Sequence, residues 1–363
     1  MNQYRPPCKR RTALSLAGNM SQFAFVRRSF LEDGRARGLE MLEFNNGSGF
    51  CFTVLPGRGM DIANASFKGT PLCHIAKAGI VSAQEYDAAE MNWLFSFFAG
   101  LLTTCGLSNV GDPSEDMDPE LGCVSHGLHG RISNTGADNV GYSASWEDEN
   151  SYVLRATGRM REARLHAEAL TLTRHIHSKM GEKRLFIEDL VENEGFEARP
   201  LMLLYHINPG YPVLSKESRI ILPTLSRMPG TEAALAEPEG YRTFSEPIHR
   251  APQYVYNHVL AAGTDGFTQC ALVNASLELG LYVRFNINEL PCFAQWKRLS
   301  QGDYVVGLEP ANTRAIGRSS AKASGELKWI QPGERLAFHL EIGVLEGAEE
   351  IAEFEREVGL LLD

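Results

Sequence analysis

The chain lacks most of the features by which a sequence declares its partners. None of its seven cysteines forms a Cys-x-x-Cys pair, which removes the usual spacing of a cysteine-held zinc site. The number is odd and several of the seven lie in apolar runs, so free buried thiols in a reducing compartment are expected rather than a disulfide framework. The longest apolar stretch, Trp93–Leu102, is far short of the ~20 residues that span a bilayer. Lys9, Arg10 and Arg11 precede Leu14 and Leu16 as in a signal peptide, but Asn19, Ser21 and Gln22 cut the apolar core short. The arginines are scattered and the formal net charge is −10, which argues against a nucleic-acid surface. These absences predict a cytoplasmic protein with neither membrane nor nucleic acid as partner, acting on a small, mostly neutral molecule. The oligomeric state is not legible in them.

What is present is alternation. Leu277, Leu279, Leu281, Val283, Phe285 and Ile287 share one face of an extended run, with Glu278, Tyr282, Arg284 and Asn286 on the other. That period of two marks a half-buried antiparallel strand. Arg335–Val344 repeats it, with Leu336, Phe338, Leu340, Ile342 and Val344 inward. Weaker strands are read at Phe50–Leu55, Tyr152–Thr157, Ala169–His177, Leu185–Val191, Leu201–His206 and Tyr304–Leu308, separated by Gly, Pro, Asn and Asp clusters. Two stretches read as helix: Ala83 to about Leu102, and a tail in which Ile351, Phe354, Val358 and Leu361 recur at spacings of three and four. The fold class predicted is mainly β, a large antiparallel sandwich with a few short helices. Its expected organisation is an arm over residues 1–24, one sandwich over 25–345 and a C-terminal helix over 346–363.

Five segments could carry chemistry. In residues 201–212 an apolar strand ends at His206 and breaks at Pro209, Gly210 and Pro212. A histidine at a strand end suits proton transfer near neutral pH, and equally suits a structural bond to the turn. In residues 304–312 a β run delivers Glu309 just before Pro310, whose ring holds Glu309 out of helical geometry. That carboxylate reads as a general base or as a solvating charge. Residues 125–134 carry His126-Gly and His129-Gly followed by Arg131, a concentration of donors in a flexible loop; the spacing also permits metal ligation or a plain turn. Arg58 stands between two glycines, where its guanidinium is expected to project from a tight turn toward the paired oxygens of a ligand or toward solvent. In residues 291–298, Trp296 lies on one strand face and Gln295 and Lys297 on the other, so only one face can serve a given pocket. Core packing is the expectation for Trp296, and hydroxyl binding for Gln295 and Lys297.

Arg58, the His126/His129-Gly-Arg131 loop, His206 and Glu309-Pro310 fall in an order that resembles the galactose mutarotase, or aldose 1-epimerase, superfamily. Either loop histidine can stand for the family's first, with His129 favoured because His-Gly-Arg runs straight into the strand. More narrowly, Pro56-Gly-Arg-Gly-Met-Asp-Ile, His129-Gly-Arg-Ile-Ser-Asn, His206-Ile-Asn-Pro-Gly-Tyr-Pro and Gly307-Leu-Glu-Pro-Ala-Asn resemble a poorly characterised bacterial aldose 1-epimerase-like branch. The resemblance covers about residues 25–345. It implies a supersandwich with its site in a cleft on one face, a sugar substrate and a cofactor-free mechanism. By position, Glu309 would be the base and His206 the acid, with Arg58 and His129 orienting the sugar and Arg131 as a further contact. The sequence departs from the family around His206, where it reads Tyr205-His206-Ile207-Asn208-Pro209, and no aspartate matches the one that holds sugar hydroxyls. Two other readings stand beside this one: a non-catalytic carbohydrate-binding protein on the same sandwich, and a metal-dependent sugar isomerase using the loop histidines.

Overall fold

The computed structural model describes residues 6–118 and 120–362. Two large antiparallel sheets pack face to face. The twelve-stranded sheet runs in the order Phe25–Leu31, Leu39–Asn45, Phe50–Leu55, Asp61–Phe67, Leu102–Leu107, Arg199–Ile207, Asp303–Ala311, Cys292–Ser300, Gln253–Leu260 and Thr224–Pro229, with two short strands off this path. The eight-stranded sheet runs Ser218–Ile221, Phe267–Asn274, Leu279–Asn286, Arg335–Glu346, Arg184–Asn193, Ala169–Lys179, Tyr152–Ala163 and Asp138–Trp146. Ser114–Asp118 and Gly122–His126 form a separate hairpin.

The inward sides of the two sheets share one apolar core. Leu201, Leu203, Tyr205, Val306 and Leu308 from the larger sheet meet Leu172, Ile187, Leu281, Val283, Phe338, Leu340 and Ile342 from the smaller. The alternating strands around Leu281 and Leu340 therefore bury the face their sequence marks as apolar. The outer side of the larger sheet is covered by loops. There Met202, Leu204, Cys105 and Ala311 pack against Trp93, Val110, Leu128, Ala321 and Leu327.

The tail forms the helix Ala348–Leu360, and Ile351, Phe354 and Val358 seat it on Ile221, Ala271 and Val273 of the smaller sheet. The helix expected from Ala83 to Leu102 does not form. Only short turns at Ala83–Glu85 and Asn92–Phe95 are helical, and Leu102 opens a strand. Left-handed φ at Glu90 (45°), Ala99 (61°) and Gly100 (66°) interrupts any continuous helix. The Ser96 carbonyl within the segment and the Val81 carbonyl just ahead of it are instead taken by Arg58. All seven cysteines are free, three of them buried. Among the described residues no helix is long and apolar enough to cross a membrane.

Candidate functional site on the outer face of the larger sheet

The strand Arg199–Ile207 sends Leu203, Tyr205 and Ile207 inward, so period two turns Leu204 and His206 outward. On the neighbouring strand Val306 and Leu308 face inward, which turns Gly307 and Glu309 outward. The register places Leu204 opposite Ala311 and Ile207 opposite Leu308, which sets His206 directly across from Glu309. Side chains so opposed lie within contact of each other. His206 Nε2 is 3.1 Å from Glu309 Oε1, with only 7% and 5% of the two side chains exposed. The contact is not aligned as a hydrogen bond, and among the described residues Glu309 Oε1 and His206 Nδ1 are buried without a well-aligned hydrogen-bond partner, the Asn208 side chain standing beside the His206 ring. Buried polar atoms without partners are uncommon and call for an explanation, such as an ordered water, strain or a bound ligand.

Gly307 makes the pair possible. A Cβ there would overlap the Glu309 carboxylate and stand 3.1 Å from His206 Cε1. Around the pair runs an aromatic wall. The rings of Phe97 and Trp296 each lie 5.4 Å from the His206 imidazole, and Trp93 stacks on Phe97 at 4.5 Å. His129 completes the group, 6.1 Å from His206 and 4.8 Å from Trp93. Its left-handed φ of 56° swings the ring off the loop toward the sheet. The Gly111 N–H donates to His129 Nδ1 at 3.3 Å, so the neutral ring carries its proton on Nε2 as a donor.

Burial sets the protonation of all three. It pushes His129 down to about 4 and His206 down to about 3, the latter with help from His129. It pushes Glu309 up to about 8. At neutral pH the His206–Glu309 pair holds one proton, and low polarity favours the uncharged arrangement with that proton on Glu309. One group ready to give a proton beside one ready to take it is the equipment of acid–base catalysis.

Other residues singled out from the sequence lie elsewhere. Arg58 is fully buried. Its Nε donates to Ser133 O at 2.7 Å, its Nη2 to Ser96 O at 3.0 Å and its Nη1 to Val81 O. It does not project from its turn, because the backbone carbonyls of two loops close over it. Gln295 and Lys297 point to the face opposite Trp296. Gln295 Nε2 donates to Tyr241 O at 3.0 Å, and Lys297 Nζ donates to Gly240 O and Thr243 O. They anchor the 240–243 turn and have no contact with the pair. Trp296 is half-buried on the site face rather than in the core. His126 ends the small hairpin, away from His129, with Nε2 buried and unpartnered. Arg131 is exposed, its backbone N–H bonded to Gly106 O at 2.9 Å. Trp93 and Phe97 carry no motif, and the aromatic density of Trp93–Phe98 was the one signal available for them. Gly307 opens the Gly307-Leu-Glu-Pro-Ala-Asn motif, but nothing in that motif marked the space the glycine leaves for the pair.

No group of three or more His, Cys, Asp or Glu side chains is arranged to hold a metal ion among the described residues. A surface hollow of about 850 Å³ lies beside the C-terminal helix. Its charges are already occupied with one another, Lys183 with Glu350 and Arg184 with Glu341.

Two antiparallel sheets of this size, packed face to face, match the galactose mutarotase-like fold. A Klebsiella pneumoniae protein named provisionally as an aldose 1-epimerase superposes with a TM-score of 0.86 at 22% identity, over 93% of this chain and 88% of that one. A galactose mutarotase-like protein of Clostridium acetobutylicum gives 0.58 at 12% identity, over 89% and 99%. Galactose 1-epimerase of Lactobacillus acidophilus gives 0.57 at 12% identity, also over 89% and 99%. Within this fold the chain belongs to the family described as Domain of unknown function (DUF4432), whose model matches residues 36–344. No curated protein matches the chain in sequence.

Proposed function

We propose that the chain binds a sugar over His206, Glu309 and the aromatic wall, and interconverts its anomers without a cofactor. The observation that carries this reading is the cross-strand His206–Glu309 pair, buried, 3.1 Å apart and unsatisfied. The names of the neighbours in fold support it. The two oxygens of a sugar hemiacetal share one carbon, so an acid and a base side by side can reach both at once.

With the sugar bound, the pair's one proton moves from Glu309 to His206 Nε2 across their 3.1 Å contact. Glu309 then takes the proton of the anomeric hydroxyl while His206 gives its proton to the ring oxygen. The C1–O5 bond breaks, its electron pair staying on the ring oxygen, and the O–H pair at O1 closes the C=O bond of the open aldehyde. Rotation by half a turn about C1–C2 presents the other face of that carbonyl. His206 then takes back the proton, the ring oxygen attacks C1, and Glu309 returns the proton to O1. After ring closure the pair's own proton returns from His206 to Glu309. The pair begins and ends with one proton, the number that burial assigns to it in the empty site. His129 Nε2–H supports charge on the sugar oxygens, and the aromatic rings receive the apolar face of the ring.

Each positioned proton transfer is worth roughly 10²–10⁴-fold. Glu309→Gln and His206→Asn are therefore expected to slow anomer interconversion by at least about 10²-fold while leaving the far-UV spectrum unchanged. Polarimetry or NMR saturation transfer on freshly dissolved hexoses, pentoses, deoxy sugars and uronic acids measures this and finds the substrate. Sugar binding with no catalysed interconversion by the parent protein would favour a non-catalytic carbohydrate-binding role. Unchanged rates in both variants would remove the pair from the mechanism.

A further inference from the structure

Arg58 is a buried cation with no carboxylate in hydrogen-bond contact among the described residues. The three carbonyls that receive its guanidinium come from chosen places. Val81 and Ser96 bracket the irregular segment that carries Trp93 and runs directly into Phe97, and Ser133 lies four residues after His129. The two loops are joined again beside it. Trp93 Nε1 donates to Ser133 Oγ at 3.2 Å, Tyr86 Oη to Gly130 O at 2.8 Å, and Leu128 N to Glu90 O at 2.9 Å. Ser96 is tied to Trp93 as well, its Oγ donating to Trp93 O at 3.1 Å. The Arg58 guanidinium also lies 5.0 Å over the ring of Phe98. Its own backbone is fixed at the turn, Arg58 N bonding to Leu55 O at 2.9 Å and Gly59 N to Thr135 O at 2.9 Å.

We propose that Arg58 is a positioning residue. Its guanidinium fastens both ends of the 81–96 segment to the 129–134 turn, and so holds Trp93, Phe97 and His129 in register above His206 and Glu309, without touching the sugar. A planar fork with several N–H groups can serve three carbonyls in different directions, whereas a lysine ammonium on a flexible stem cannot reproduce that geometry. The charge persists through neutral pH, because burial lowers this group only to about 10. An apolar replacement would leave three buried carbonyls without donors, so the conservative substitution is the informative one.

The role rests on the acid–base reading of the pair only for its kinetic consequence, and the test separates the two. Arg58→Lys, with Arg58→Gln as the second variant, is compared with the parent protein by NMR titration of the His129 imidazole and by saturation kinetics on the preferred sugar. Loosening of the loops is expected to admit water and move the His129 titration up toward the ordinary histidine value of about 6.5. kcat is expected to fall by about 10–10²-fold with KM changed less than about threefold, as for misplaced reacting groups. An unmoved His129 titration, or a loss confined to KM, would overturn the proposal and return Arg58 to the substrate. If the parent protein interconverts no sugar, the acid–base reading fails, and the His129 titration alone still decides whether Arg58 holds the loop.

Discussion

Two clusters of buried ionisable groups hang from neighbouring residues of one strand, on its opposite faces. Tyr205 points inward and donates to Asp189 Oδ2 at 2.7 Å. Asp189 in turn receives Arg174 through both oxygens, at 2.8 and 2.6 Å. Arg174 Nη1 reaches Asp61 Oδ1 and Gly59 O at 3.2 Å each, and Thr104 donates to Asp61 Oδ1 from its N at 3.0 Å and its Oγ1 at 2.6 Å. His206 points outward to Glu309, both nearly as buried, and there His206 Nδ1 and Glu309 Oε1 lack aligned partners among the described residues. Burial alone thus does not separate structure from function in this protein. Satisfaction does: the inner cluster exchanges water for fixed partners and ties the two sheets together, leaving only Asp61 Oδ2 unpaired. The outer pair leaves His206 Nδ1 and Glu309 Oε1 without aligned partners, which is the capacity that the proposed sugar would use.

The sharpest way to break that contrast is to remove one member from each side. Asp189→Ala strands Arg174 and the Tyr205 hydroxyl, and is expected to cost about 3–5 kcal/mol of stability in urea unfolding. Loss of either Glu309 or His206 is expected to cost under about 1 kcal/mol, since no made hydrogen bond is lost. If the two sides lose stability equally, the distinction falls. Gly307→Ala comes next. Its methyl group must push Glu309 away from His206, at about 1–3 kcal/mol of overpacking, and is expected to slow anomer interconversion by roughly tenfold or more.

The smallest effect is in pH. Glu309 is raised from 4.5 to about 8, so the folded protein keeps a proton that the unfolded chain has already released across that window, and this group's contribution to stability declines as pH rises. His206 is lowered from 6.5 to about 3, so its contribution is lost as pH falls below 6.5. The two oppose each other in mildly acid solution and leave a net decline between about pH 6.5 and 8. Glu309→Gln is expected to flatten that decline in urea unfolding curves, and anomer interconversion in the parent protein is expected to fall above about pH 8 as the pair loses its proton. A pH profile flat through pH 9 would contradict the assignment of the proton.

Much of the architecture was legible because alternation is a local property. The strands around Leu281 and Leu340 needed only period two to announce which face they bury. The tail helix needed only the spacing of Ile351, Phe354 and Val358. The 83–102 segment misled because its apolar content reads equally well as a helix, while the groups that decide against helix, the Arg58 guanidinium and the left-handed turns at Ala99 and Gly100, depend on contacts distant in sequence. Arg58 misled in the same way, since flanking glycines suggested an exposed turn and could not show which carbonyls close over it. For Trp296, Gln295 and Lys297 the alternation itself was right. Which of the two faces looks at the site depends on how that strand packs in the sandwich, and that is a tertiary fact.

The sequence by itself determined a mainly β chain with alternating strands, and the residue types and order of its motifs, because each depends on covalent neighbours and on the two-residue period of the strand. Only the tertiary structure decided that His206 and Glu309 stand opposite each other on adjacent strands, that His129 rather than His126 joins them, and that Trp93, Phe97 and Trp296 wall them in. Those are matters of sheet register and loop closure between residues far apart in the chain, and register is set by the packing of a whole face rather than by any one segment.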